Sequence, residues 1–439
     1  MAGRQQRPRG VRPHVTGRPG DRDVQCSASS APGCYITMPM ASIQAFSPAA
    51  LGPLTLKNRF IKAATFEGVM PRGQVSPALV DFHAEVARGG AAMTTVAYCA
   101  VSPGGRVHRD TVVLDAERAR QLRALTDAVH AEGALACAQI GHAGLVANTV
   151  SNRAPTLAPS TRLSAPAMGV VRAATAHQLD GVVDDFGAAA AHAVDAGFDA
   201  IEIHMGHGYL LSSFFSPNLN RRTDRYGGDT ARRAELARRV AERVRRTVGD
   251  TVAVTAKFNM DDGVRRGFWL TDSLPTARLL EADGHLDALQ LTGGSSLANP
   301  MYYFRGDVPL DEFIASQPRA VGLGLRLIGK RMFREYPFTE AFFAPQARQF
   351  RAALSMPLIL LGGINRMDTV TAALDDGFAF VAMARALLRE PDLVNRFREK
   401  TATEGLCVHC QKCMPTVYSG THCVVRSGEP VNLSGLAMS

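Results

Sequence analysis

Nowhere in its 439 residues does this chain hold an apolar run long enough to cross a bilayer, a span that takes about 20 residues as a helix. The sequence therefore reads as that of a soluble protein. Residues 1–37 lack the apolar stretch of a secretory signal, and no Gly-x-Gly-x-x-Gly follows a predicted strand, which argues against a Rossmann domain. His-Glu-x-x-His is missing too, so a zinc-protease helix is excluded. There is no disulfide framework: of eight cysteines, Cys26, Cys34, Cys99 and Cys137 are scattered, and a reducing, cytoplasmic location is expected. Charged residues make up only 20% against 46% apolar, the balance of a globular chain with a sizeable core.

The formal charge of +9 does not point to nucleic acid. Residues 1–37 hold six Arg against Asp21 and Asp23, which accounts for +4 of it. That segment, rich in Arg, Pro, Gly and Ser, is expected to be disordered. Further on, Arg232, Arg233, Arg238, Arg239, Arg243, Arg245 and Arg246 alternate with Ala, Leu and Val at helical spacing, the pattern of a solvated helix face.

From Leu54 onward strand and helix patterns alternate. Strands are expected at 58–63, 92–99, 135–140, 200–203, 252–258, 288–291, 358–361 and 380–383. Helices are expected at 77–88, 117–132, 180–196, 231–247, 271–282, 343–354, 369–375 and 391–398. Eight strand–helix units predict an α/β fold, a (β/α)8 TIM barrel over residues 38–400 with a long insertion after strand six. Residues 401–439 are expected to form a cysteine-containing extension packed on the barrel.

Chemistry concentrates where strand four ends. In Ile201-Glu202-Ile203-His204-Met205-Gly206-His207-Gly208-Tyr209, two imidazoles and a phenol arrive together at a strand C-terminus, the place where parallel barrels build their sites. His204, His207 and Tyr209 are the catalytic candidates. A metal site is disfavoured, because no helix aligns the histidines and no third ligand stands nearby. Packing roles remain the bland alternative for each residue taken singly.

The pattern His-x-x-His-Gly-Tyr-Leu-Leu, continued by Phe214-Phe215-Ser216-Pro217 and Asn220-Arg221-Arg222-Thr223-Asp224-Arg225-Tyr226-Gly227-Gly228, resembles the signature of the Old Yellow Enzyme family. The resemblance implies an FMN-dependent NAD(P)H oxidoreductase with FMN at the C-terminal mouth of the barrel. It further implies that His204 and His207 bind the substrate oxygen and that Tyr209 donates the proton.

Other strand ends are expected to hold the flavin. Asn58-Arg59 through Phe66 is similar to the family's Asn-Arg-x-x-x-x-Pro-x-Thr/Cys, with Ala64 in place of proline, Thr65 following it, and Phe66, which cannot donate a hydrogen bond, in place of Thr or Cys. Gln139 opens a Gln-Ile-Gly-His-Ala-Gly segment similar to another family motif, and its amide suits a pyrimidine edge; His142 within it reads as structural. Lys257 is a lone lysine near the end of an apolar strand, and a buried ammonium needs an anion or a task. The resemblance gives it the reduced flavin's negative charge; snorkelling to the rim is the alternative. Gly362, Gly363, Ala384 and Arg385 follow strands seven and eight, the usual phosphate site of such barrels.

Two features remain. Residues 293–339, with Tyr302, Tyr303, Phe304 and Phe333, are long enough to shape a substrate pocket, a local core or an oligomer contact. Cys407, Cys410, Cys413 and Cys423 resemble the [4Fe–4S] motif of the multidomain relatives 2,4-dienoyl-CoA reductase and trimethylamine dehydrogenase, although the last spacer is shorter here. A [4Fe–4S] cluster, a zinc ion and a metal-free thiol group are all open for them.

The function expected is hydride transfer from NAD(P)H through FMN to an activated alkene such as an α,β-unsaturated carbonyl compound, a small-molecule substrate with no nucleic-acid or membrane partner. Oxidative N-demethylation of a small amine and a flavin-free lyase using Lys257 as a Schiff base are the alternatives.

Overall fold

The computed structural model describes residues 44–317 and 319–427; the expected tail at 1–37 and the last part of the extension lie outside them. Eight parallel strands close into a barrel: β1 (Phe60–Lys62), β2 (Met93–Ala100), β3 (Leu135–Gly141), β4 (Ala200–Met205), β5 (Ala253–Asn259), β6 (Ala288–Thr292), β7 (Leu358–Leu361) and β8 (Phe380–Met383). Each pairs with its chain neighbours, and β8 closes on β1 through Val381, Ala382 and Met383 against Phe60, Ile61 and Lys62. All eight expected strands are present within a residue or two. The fold is a (β/α)8 TIM barrel.

The helices are α1 (Pro77–Arg88), α2 (Ala116–Ala131), α3 (Ala176–Asp195), α4 (Thr230–Val248), α5 (Leu270–Asp283), α6 (Ala344–Ala353), α7 (Met367–Asp375), α8 (Arg385–Arg389) and α9 (Leu393–Arg398). Helix α3 starts earlier than expected because Thr175 and Gln178 form a reciprocal capping box, which satisfies two end amides at once. The arginine face of α4 is less solvated than its spacing suggests. Arg233 is buried, donating to the Phe215 carbonyl and pairing with Asp272, while Arg245 reaches Asp287. A basic stripe at helical spacing does not reveal that neighbouring loops supply carboxylates.

Strand alternation separates two kinds of interior. On β4 to β6, Ile201, Ile203, Val254, Ala256, Phe258, Leu289 and Leu291 pack outward with the helices in one large core. Ala200, Ala253 and Ala288 begin the inward rows and cluster with Leu51 and Leu56. These leucines sit on a hairpin, Ala49–Leu51 with Leu54–Leu56, that precedes β1. Above that apolar floor the inward positions turn polar: Glu202 and His204, Thr255, Lys257 and Asn259, then Gln290 and Thr292. The barrel is thus plugged at its N-terminal end and chemically furnished toward its C-terminal end.

Between β6 and α6 the chain forms a turn at Pro300–Tyr302 and two helices, Leu310–Ala315 and Arg319–Met332. Among the described residues no helix is long and apolar enough to cross a membrane.

Candidate functional site

Strand β4 delivers its histidines through a bend whose geometry the neighbours enforce. His207 takes a left-handed backbone with φ of 60°, uncommon for a residue with a Cβ. It is held there because Asn259 at the end of β5 accepts from its N–H at 3.1 Å. Thr292 at the end of β6 lies 2.9 Å from its Nε2. Gly206 between the histidines admits this approach: a Cβ there would stand 3.1 Å from Thr292 and 3.2 Å from Asn259. Strained backbone kept in place by several partners is typical of functional sites.

The three residues expected to act together are brought together. His204 and Tyr209 stack with ring centroids 4.2 Å apart, and His204 meets His207 edge-on at 5.3 Å. Tyr98 from β2 stands edge-on to both, 6.2 Å from His204 and 5.5 Å from Tyr209. Tyr303, from the segment after β6, stacks on His207 at 4.5 Å and shares a hydrogen bond with Ser296.

Protonation follows from burial. Desolvation, aided by the neighbouring Lys257 charge, holds His204 well below the usual imidazole range and pushes His207 down to about 3. Both rings are therefore neutral at physiological pH. The Gly206 amide donates to His204 Nδ1 at 3.3 Å, which leaves the proton of the neutral ring on Nε2. Burial, with Tyr303 and Tyr418 close by, raises the Tyr209 phenol far above its ordinary value, so Tyr209 retains its proton and is equipped to give it up only to a strongly basic atom.

Lys257 is not the lone lysine that the strand pattern implies. Its ammonium lies 3.1 Å from Glu202 Oε1, with both side chains 4% exposed, and Gln139 donates to the same oxygen at 2.6 Å. The partner comes from the next strand's inward row, which one strand's sequence cannot show. This pair also removes the expected reason for a free amine at Lys257. Nearby, Gln290 Nε2 is buried with no partner, a donor in want of an acceptor.

The remaining expected residues divide. Ala64 packs with Tyr98 and Tyr209, and Thr65 accepts from a second buried lysine, Lys62, at 2.9 Å. Phe66 lies edge-on to Tyr418 at 6.0 Å. His142 is buried and depressed to about 4, its Nδ1 accepting from the Gly144 amide. Gly362 and Gly363 end β7 with φ of 110° and 76°, and a Cβ on either would strike the rings of Phe343 or Phe342. Ala384 caps α8, and Arg385 donates to the Arg305 carbonyl at 3.1 Å while facing the cysteines.

Cys407, Cys410, Cys413 and Cys423 line one pocket with Arg385 and Arg389, whose guanidinium lies 3.7 Å from Cys423 Sγ. Burial pushes the Cys413 thiol up to about 12. Among the described residues no group of three or more His, Cys, Asp or Glu side chains is already drawn together at metal-ligand geometry.

Glu202, Tyr98, Asn259, Thr292 and Tyr418 escaped the sequence reading. Glu202 left a signal, a charged residue at an inward position of a buried strand. Asn259 and Thr292 are strand-terminal polar residues of the same kind. Tyr98 and Tyr418 left none, since only the closed barrel brings them to Tyr209.

A profile of the NADH:flavin oxidoreductase / NADH oxidase family matches residues 44–289. The chain is 71% identical over 390 residues to 4,4'-dithiodibutanoate disulfide reductase of Rhodococcus erythropolis, an alignment covering 89% of this chain and 96% of that protein. It is 32% identical over 376 residues to a metal reductase of Desulforamulus reducens, covering 85% of this chain but only 52% of that longer protein. In fold it is similar to 2-naphthoyl-CoA reductase, with a TM-score of 0.75 at 19% identity over 88% of this chain and 57% of the other. These matches overturn the flavin-free lyase alternative. With a barrel whose fourth strand and the turn after it carry the paired histidines and the tyrosine, the chain belongs to the NADH:flavin oxidoreductase / NADH oxidase family, of Old Yellow Enzyme type, and is an FMN-dependent oxidoreductase drawing on NAD(P)H.

Proposed function

We propose that this enzyme uses NAD(P)H to reduce a small organic disulfide carrying carboxylate groups. The observation that carries this reading is the 71% identity, over 96% of its length, to 4,4'-dithiodibutanoate disulfide reductase. The overall change balances as one disulfide, one NAD(P)H and one proton giving two thiols and NAD(P)+. Bound FMN supplies a two-electron carrier that takes hydride from the nicotinamide and passes it on.

The residues of this chain have separable tasks. Gln139, Lys257 and the unpartnered amide of Gln290 suit the carbonyl-rich edge of the flavin, beside Ala64 and Thr65. Gly362, Gly363, Ala384 and Arg385 would hold the phosphate. His204, protonated on Nε2, offers a neutral donor to the acceptor substrate, and His207 backs it. Tyr209, which keeps its proton, offers a hydrogen bond to the leaving thiolate, and the one proton of the overall change comes from solvent.

A second reading is favoured by the same neutral donors. Two uncharged imidazoles beside a protonated phenol also suit an activated alkene, with His204 and His207 polarising a carbonyl oxygen and Tyr209 protonating the α-carbon. Steady-state assays of FMN-loaded enzyme, with 4,4'-dithiodibutanoate and with 2-cyclohexenone as acceptors, decide between them. A kcat/KM for the disulfide exceeding that for the enone supports the first reading; turnover of the enone alone overturns it.

A further inference from the structure

The loop after β2 carries a charge that the proposed chemistry leaves unused. The connection from β2 to α2 contains Arg106, His108, Arg109 and Asp110. Arg106 spends its hydrogen bonds on main-chain carbonyls, donating from Nε to Pro103 at 3.2 Å and from Nη2 to Asn152 at 2.7 Å. Among the described residues it has no carboxylate within ion-pair distance. Asp110 is shared between His108, at 3.2 Å, and Arg109, at 3.9 Å. Two guanidinium groups against one carboxylate leave this corner positively charged, and the carbonyls hold Arg106 in place without neutralising it.

Tyr418 connects that corner to the reacting groups. It stands between His108, 4.9 Å away, and Phe66, 6.0 Å away, and lies near enough to Tyr209 and Tyr303 to influence both phenols. It is nonetheless 42% exposed. Arg106 also lies beside Tyr98, whose ring is edge-on to Tyr209 and His204. Tyr98 donates to the carbonyl of Gly105, next to Arg106 in the chain, while its ring stands edge-on to Tyr209. The extension that supplies Tyr418 is fastened here: the Thr421 amide donates to the Glu67 carbonyl at 2.7 Å, and its hydroxyl donates to the Phe66 carbonyl.

We propose that Arg106, His108 and Tyr418 form a carboxylate subsite at the mouth of the substrate pocket, selecting acceptors that carry an acid a few carbons from the reducible bond. This rests on the disulfide reading for the identity of the acceptor, though a carboxylated alkene would use the same subsite. Arg106 supplies the charge, Tyr418 a phenol donor, and His108 the ring against which Tyr418 is set. A flexible chain with an acid end gains from a cation already oriented by the backbone, because little further ordering is needed on binding.

The test compares 4,4'-dithiodibutanoate with its dimethyl ester in wild type, Arg106→Gln, Arg106→Lys and Tyr418→Phe. Loss of a charge-assisted hydrogen bond should raise KM for the diacid about tenfold or more in Arg106→Gln, with the diester moving far less and Arg106→Lys recovering part of the loss. If Arg106 merely pins the loop to Asn152, acid and ester KM values rise together, and that result overturns the subsite, as does a diacid KM that does not move. Should wild type reduce neither disulfide, the disulfide reading fails while the subsite remains testable. Butanoate should then perturb the bound flavin's absorbance more tightly than butanamide, and Arg106→Gln should abolish that preference; equal binding of the two in wild type overturns the subsite.

Discussion

His204 and Tyr209 lie face to face, their planes only 20° apart, so a neutral imidazole and a protonated phenol share one surface. The stack places both groups in a desolvated wall where neither ionises near neutral pH.

Tyr209→Phe should slow reoxidation of the reduced enzyme by an enone about 10²–10⁴-fold, the usual worth of a general acid. Flavin reduction by NAD(P)H should stay near the parent rate, because that half-reaction needs no protein proton. Stopped-flow absorbance resolves the two phases. Equal slowing of both, or of neither, assigns Tyr209 to packing.

Glu202→Gln leaves Lys257 buried without its counter-charge, and breaking such a pair should cost about 3–5 kcal/mol of stability. Glu202→Leu combined with Lys257→Met removes both charges and should recover most of the loss. Urea denaturation of the single and double variants measures the coupling. Additive losses would mean that the 3.1 Å contact carries no net interaction.

The depressed imidazoles make stability fall on acidification. His142, His204 and His207 bind protons less readily folded than unfolded, with His142 at about 4 and His207 at about 3. As pH drops through about 6.5, the unfolded chain takes up protons first, destabilising the fold by up to about 1.4 kcal/mol per ring per pH unit. Asp262, raised by burial to about 6, acts in the opposite sense, gaining folded-state protons as pH falls below that value. His108 and His409 are depressed by burial as well, and Asp185, Asp261 and Glu340 are raised, so five rings stand against four carboxyls and denaturation midpoints should be lower at about pH 5 than at about pH 7. His142→Asn should shrink the difference, and an unchanged difference would show that His142 does not titrate as described.

Thiol reactivity should divide by burial. Cys99 is raised to about 12 and Cys137 well above its usual value by desolvation, which starves both of thiolate. Iodoacetamide treatment of native enzyme followed by peptide mapping should find these two unmodified and Cys410 or Cys423, on the half-exposed pocket wall, modified. Labelling of Cys99 at a comparable rate would mean that the β2 region opens readily.

Much of this molecule was legible in the sequence because its period was. Eight apolar runs with helical patterns between them specify a barrel, and the strand-four motif marks where chemistry sits. What stayed hidden depends on closure. Glu202 answers Lys257 only once adjacent strands take their register, and Arg233 is buried only because the Phe215 carbonyl and Asp272 meet it. Tyr303 and Tyr418 reach the site from loops whose sequences carry no period at all.

The hydrogen bond from Thr421 to Phe66 joins residues 355 positions apart, and this has a consequence for synthesis. Strands β1 to β8 precede residue 384 and can pair while the rest of the chain is still within the ribosome. The contacts of Tyr418 and Thr421 with Phe66 and Glu67 cannot form until the extension has emerged and found the loop after β1. A chain stalled or clipped near residue 400 would therefore hold a complete barrel with an unfinished site, so maturation of activity should lag behind folding of the barrel.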